Sequence, residues 1–174
     1  LQAIYKHFIR DFATYHNEVE TIVKFAAVLD LLVCRVFIAK KYNYCTPLIK
    51  PMADGDGDES YVDVKGLRHP LIEQLLQNEL YVTNNIALDA EVCQGILLYG
   101  TNAVGKSSLI KALGMCIILA QSGFYVPCSS FVYYPFRHIF TRILGNDNLF
   151  KGLSSFAVEM IEFKTILSHA DANS

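Results

Sequence analysis

Gly95-Ile96-Leu97-Leu98-Tyr99-Gly100-Thr101-Asn102-Ala103-Val104-Gly105-Lys106-Ser107-Ser108 is the stretch whose reading decides the fold. Residues 100–107 fit the phosphate-loop pattern G-x-x-x-x-G-K-[ST]. Ahead of them, Gly95 to Tyr99 form a short apolar run that predicts a buried strand of a mostly parallel sheet. Behind them, Leu109, Ile110, Leu113, Ile117 and Ala120 recur at helical spacing, up to a Gly123 suited to close a helix. Strand, glycine loop and helix are the parts of a phosphate cradle. The glycines let successive N–H groups converge on phosphate oxygens, the helix start adds a positive dipole end, and Lys106 adds a full charge. Ser107 is placed to offer its hydroxyl to Mg²⁺. The bland alternative is a glycine turn with a solvent-facing lysine, and it does not explain why both flanks agree. The loop predicts binding of a nucleoside triphosphate.

Composition bounds the rest. The chain has 174 residues, 52% of them apolar and 18% charged, enough for one domain or one domain with a helical appendage. A formal net charge of −2 gives no overall basic footprint for nucleic acid. Cys34, Cys45, Cys93, Cys116 and Cys128 include no C-x-x-C pair. They read as small buried hydrophobes of a reducing intracellular compartment, not as a disulfide or zinc framework. His7, His16, His69, His138 and His169 also lack ligand spacing. The longest apolar run, 112–120, is about half of the roughly 20 residues a membrane span needs, so no membrane role is expected. The chain opens on Leu1 without an initiator Met and stops abruptly at Ser174, which reads as a fragment cut at both ends.

Residues 1–45 predict two packed helices joined near Tyr15-His16-Asn17. One has a stripe of Leu1, Ile4, Tyr5, Phe8 and Phe12. The other has Val19, Ile22, Val23, Ala26, Leu29, Val33 and Val36. Thr46-Pro47 and Lys50-Pro51 end this region. Asp54-Gly55-Asp56-Gly57-Asp58-Glu59 imitates a calcium loop, but Glu59 stands where a glycine is needed and Lys65 where a glutamate is needed, leaving an acidic loop. Tyr61 to Lys65 alternates as a strand, Leu71 to Leu76 forms a helical turn, and 80–83 and 86–88 are strand candidates. Further strands are expected at 131–134 and 137–143, split by Pro135. A last helix begins near Ser154 or Ser155 and buries Phe156, Met160, Phe163 and Leu167.

Several motifs in register then carry a family resemblance. Arg68-His69-Pro70-Leu71-Ile72-Glu73-Gln74, Asn102 within the loop, Phe140-Thr141-Arg142-Ile143 and Ser154-Ser155-Phe156-Ala157-Val158-Glu159-Met160 closely resemble the ATPase domain of the MutS family of DNA mismatch recognition proteins. Order and spacing agree from about Tyr42 to Ser174. Weaker similarity runs back through Ala27-Val28-Leu29-Asp30-Leu31-Leu32-Val33. The resemblance implies an α/β fold: a P-loop ABC-type ATPase sheet, truncated before its Walker B strand, preceded by helices from the lever region. Residues 1–45 would be the helical lever base and 46–174 the N-terminal part of the ATPase domain.

That resemblance also assigns roles. ATP and Mg²⁺ are the implied ligands, held by Gly100, Thr101, Asn102, Ala103, Val104, Gly105, Lys106, Ser107 and Ser108, with Ser107 on the metal. Tyr81 falls where the family stacks an aromatic on adenine, against the plainer reading of a strand aromatic. Asn102 falls where an amide reaches the γ-phosphate or the attacking water. Ser154 falls at the signature serine that reaches the ATP of the opposite subunit, so Lys106, Asn102 and Ser154 are the expected catalytic groups. The family commonly has Pro, Met and Gly where this loop has Thr101, Ala103 and Val104, and the lost glycine at Val104 tightens the backbone. Such departures resemble divergent members of viral or mitochondrial type.

The implied function is ATP binding and hydrolysis that switch a dimeric clamp, a homodimer or MutS-type heterodimer, on mismatched double-stranded DNA held by domains outside this chain. Hydrolysis is expected of the full-length protein, and little of the chain alone, since the Walker B acids and an adenine-site histidine lie beyond it. Two other readings stand beside it. One is a MutS-like structural or recombination-linked DNA clamp without mismatch reading. The other is an unrelated ABC- or SMC-type ATPase, which usually carries a Leu-Ser-Gly-Gly signature where this chain has Lys151-Gly152-Leu153-Ser154-Ser155.

Overall fold

A computed structural model describes residues 2–51, 59–76, 80–89, 93–142, 155–171 and 173–174. The acidic loop at 54–58 and the segment 143–154, which includes Ser154, lie outside the described residues. The chain divides into two compact units, Leu1–Tyr42 and Asn43–Ser174.

The first unit is two helices, α1 (Gln2–Ala13) and α2 (His16–Tyr42). Neither contains Gly or Pro, so each runs unbroken. The turn between them is closed by Thr14 Oγ1, which donates to the Asp11 carbonyl at 2.6 Å, and by the Tyr15 N–H on the Phe12 carbonyl at 3.0 Å. The expected packing of their apolar stripes is not found. Phe8, Phe12, Ile22 and Val33 are exposed, and Ala39 is the sole buried residue of α2 among those described. Phe8 and Phe12 stack on each other at 6.3 Å along one face of α1, the i,i+4 contact a single helix can make without a partner.

In the second unit, β1 (Leu48–Ile49), β2 (Tyr61–Leu67), β3 (Asn84–Leu88) and β4 (Ser130–Tyr134) form a sheet ordered β1-β4-β2-β3. Only β1–β4 is parallel, while β2 pairs antiparallel with both β3 and β4. In β2 the alternation Val62, Val64 turns one row inward, and across it Tyr133 and Phe131 occupy the same face through the pairs Val62↔Tyr133 and Val64↔Phe131. Phe131 and Tyr133 meet edge to face at 5.4 Å. On this face lies α4 (Lys106–Gln121), contributing Ala112, Cys116, Ile117 and Ala120, with Leu109 and Leu113 partly buried beside them. Each fully buried large side chain stabilises by about 1.5–3 kcal/mol. Ile110, expected on that face, is exposed, because the inward row runs through Ala112 and Cys116 instead.

The sheet corrects the sequence reading in three places. Residues 95–99 are not a strand, and Ile96, Leu97, Leu98 and Tyr99 are exposed. Both edges of β4 and of β2 are already paired, so this run has only the outer edges of β1 and β3 to join, and it joins neither. The sheet is therefore mixed and mainly antiparallel. Leu80 to Thr83 and the described part of 137–143 also form no strand, and Leu80 and Val82 are exposed. The last helix, α5 (Ser155–His169), exists, but Phe156, Met160, Phe163 and Leu167 are exposed rather than buried. A four-residue helix, α3 (Ile72–Leu75), lies between β2 and β3.

Candidate functional site

The phosphate-type loop enters α4 through Gly105, whose φ of 100° is open to glycine and costly for other residues. Gly105 is the N-cap and offers no side-chain oxygen to the helix start, and the first turn of α4 carries no acidic residue. The first N–H groups of a helix have no intrahelical partner, so the positive end of α4 is left uncompensated by its own sequence. Lys106 Nζ turns back onto the loop and donates to the carbonyls of Gly100 at 2.7 Å and Thr101 at 2.5 Å. Lys106, half-buried, and Ser107, exposed, open the first turn of α4 directly after the loop. Asn102, Ala103 and Val104 are exposed, and Ser108 is half-buried.

Backbone strain falls one residue away from where the sequence placed it. Ala103 has a φ of 64°, the left-handed region, whereas Val104 is not among the positive-φ residues. The valine contributes contact instead: its Cγ1 lies 3.3 Å from the position a Cβ on Gly100 would take. A side chain at position 100 would therefore crowd the loop.

Tyr81 is half-buried in the irregular segment before β3. Ser154 lies outside the described residues. No group of three or more His, Cys, Asp or Glu is placed to hold a metal ion among the described residues, and no helix there is long and apolar enough to cross a membrane.

The structure explains two motifs that the sequence left without a physical role. In Arg68-His69-Pro70, Arg68 bonds Glu73 at 3.0 Å, donates to the Asn43 carbonyl at 2.7 Å and stacks over Tyr44 at 5.7 Å. Burial pushes Glu73 up against the opposing pull of Arg68, and burial likewise pushes Tyr44 up. His69 is buried, and its Nδ1 accepts the N–H groups of Leu71 and Ile72 at 3.3 Å each, setting the first turn of α3. Burial lowers its pKa. The second motif is Phe140-Thr141-Arg142. Arg142 pairs with Glu159 and, at 3.2 Å, with Glu162, and lies 5.5 Å over Phe163. It thereby joins one quoted motif to the other, because Glu159 belongs to the Ser-Ser-Phe-Ala-Val-Glu-Met stretch. The i,i+3 and i,i+4 spacing of 159, 162 and 163 was the available signal.

A glycine loop leading into a helix that buries one face on a mixed sheet defines a mixed α/β protein. Residues 96–174 match the family described as MutS domain V. A MutS homologue of Acanthamoeba polyphaga mimivirus is 36% identical over 98% of this chain and 18% of its own length. The mitochondrial MutS homologue of Sarcophyton glaucum is 36% identical over 92% of this chain and 17% of its own. The MutS of Staphylococcus epidermidis is 36% identical over 92% and 18%. The chain belongs to the MutS family, and it spans less than a fifth of the length of these relatives.

Proposed function

We propose that residues 100–108 bind the triphosphate of ATP together with Mg²⁺, and that the full-length protein uses ATP binding and slow hydrolysis to switch a dimeric clamp on mismatched DNA. The observation that carries this reading is the Lys106 ammonium held on the Gly100 and Thr101 carbonyls beside an N-terminal helix turn without acidic residues. A bound phosphate replaces those neutral acceptors with charged oxygens, and charge-assisted hydrogen bonds are roughly twice as strong as neutral ones. Mg²⁺ supplies charge neutralisation at the phosphates, with Ser107 as its protein hydroxyl. Asn102 is assigned to the γ-phosphate or attacking water, Tyr81 to the adenine face and Ser154 to the partner subunit's nucleotide. DNA is gripped elsewhere in the full-length protein, consistent with the near-neutral charge of this chain. The names of the relatives, DNA mismatch repair proteins, support mismatched DNA as the target.

The test is Lys106→Ala in the full-length protein. Loss of one charge-assisted bond is worth about 1.5–3 kcal/mol, so ATP affinity falls by roughly ten- to a hundredfold, ADP affinity falls less, and hydrolysis is abolished. Lys106→Arg does not rescue, because a planar fork cannot take the place of a compact ammonium in the loop. Turnover near wild type in Lys106→Ala would overturn the assignment.

A further inference from the structure

Cys45 and Cys128 are 83 positions apart in sequence, yet their Sγ atoms lie 3.3 Å from each other. The backbone fixes this approach. The Cys45 N–H donates to the Val126 carbonyl at 2.9 Å and the Val126 N–H returns a bond to the Cys45 carbonyl at 3.0 Å, the reciprocal pair of an antiparallel bridge. On the same segment the Arg68 N–H holds the Pro127 carbonyl at 2.9 Å. Closing the sulfurs to a bond of about 2.05 Å is a small side-chain adjustment against this scaffold. The two thiols also differ in access: Cys45 is partly exposed, whereas Cys128 is 1% exposed.

We propose that Cys45 and Cys128 form a thiol–disulfide site that reversibly staples the segment entering the sheet unit to the segment leaving α4. The co-reactant is a small-molecule disulfide such as glutathione disulfide. The Cys45 thiolate attacks one of its sulfurs, forming a mixed disulfide and expelling one glutathione thiolate. The buried Cys128 thiol then gives its proton to the expelled thiolate and attacks the Cys45 sulfur, expelling the second glutathione. Two protein thiols are oxidised and one small disulfide is reduced. The partly exposed Cys45 is the attacking sulfur and the buried Cys128 the resolving one, and the hydrogen bond they share draws the Cys45 thiol down while that bond and burial push Cys128 up. Cys116, buried and pushed up to about 12 by burial, stays out of the exchange. In a reducing compartment such a bond is a transient sensor rather than a permanent brace.

The experiment equilibrates the native full-length protein with glutathione disulfide, blocks remaining thiols with iodoacetamide and maps peptides by mass spectrometry. The expected result is a Cys45–Cys128 cross-linked peptide, a fall of about tenfold or more in Cys45 alkylation, and full reversal by dithiothreitol. In Cys128→Ser the glutathione adduct on Cys45 persists, because the resolving thiol is gone. Both thiols remaining free in wild type would overturn the proposal. So would a glutathione adduct that persists on wild-type Cys45, or a bond from Cys45 to Cys34 or Cys93. The wild-type map decides even if the serine variant fails to fold.

Discussion

Gly66 shows how much one backbone position can carry. It takes a φ of 65° where the β2–β3 register shifts between Val64 and Leu67, and its N–H donates to Asn85 Oδ1 at 2.8 Å. A Cβ built there would lie 2.4 Å from Ser129 Oγ and 3.2 Å from Ser129 Cβ. Gly66→Ala therefore combines a left-handed alanine with a steric conflict, and a loss of about 1–3 kcal/mol is expected in denaturant unfolding. Removing the hydroxyl with Ser129→Ala recovers only part of it, since the φ is unchanged; a neutral Gly66→Ala would contradict the bulge. His69 gives a prediction of another kind. Its folded pKa is lowered, chiefly by burial, so the unfolded chain binds the proton more readily and stability rises with pH. The contribution is complete above the ordinary histidine value near 6.5 and drains away as pH falls through that value towards the lower folded one. Protonation also removes the Nδ1 acceptor that Leu71 and Ile72 use. His69→Asn, which keeps an acceptor that does not titrate, is expected to flatten the stability profile between pH 7.5 and 5.5; an unchanged profile would remove His69 from it.

Among the elements, α5 depends on Arg142 more than on an apolar face. Its expected core residues are exposed, while Arg142 holds Glu159, Glu162 and Phe163 along about one turn. These groups are partly exposed, so the cluster is worth only about 1 kcal/mol. Arg142→Ala is expected to speed amide exchange several-fold in 159–163, with Arg142→Lys restoring little because the fork geometry is lost. Unaltered exchange would mean that α5 is held elsewhere. The same elements show what was legible. The strands at 61–67 and 130–134 alternate with period two, and α4 closes where Gly123, at a φ of 76°, lets the Phe124 N–H reach the Leu119 carbonyl at 2.8 Å; local pattern decides both. Ile96 to Tyr99 have the composition of a buried strand, but strand pairing is a non-local property and the edges of β2 and β4 are taken. Likewise the stripes of α1 and α2 announce helices correctly without saying what covers them. In the site, the loop was legible because its residues are contiguous. The Arg142–Glu159 link joins separated segments, and the Cys45–Cys128 approach depends on a bridge that no spacing encodes.

At the scale of the whole molecule, the chain covers less than a fifth of the length of its MutS relatives, so the proposed activity is tested on the full-length protein. Symmetric dimers place identical groups in two equivalent sites. If each ATP site combines the loop of one subunit with Ser154 of the other, Lys106→Ala disables a site through one chain and Ser154→Ala through the other. A mixed dimer of the two variants then has one doubly damaged site and one intact site. Random mixing gives half mixed dimers with one working site in two, so turnover about a quarter of wild type is expected, above either variant alone. On that proposal, Ser154→Ala by itself is expected to retain ATP binding while lowering hydrolysis, because the serine would act on the partner's nucleotide. A serine that merely capped α5 would cost about 0.5–2 kcal/mol of stability and leave turnover per folded molecule unchanged. Mixed dimers isolated with two different affinity tags separate the cases: if they form and their turnover does not exceed that of the parent variants, the shared site is wrong.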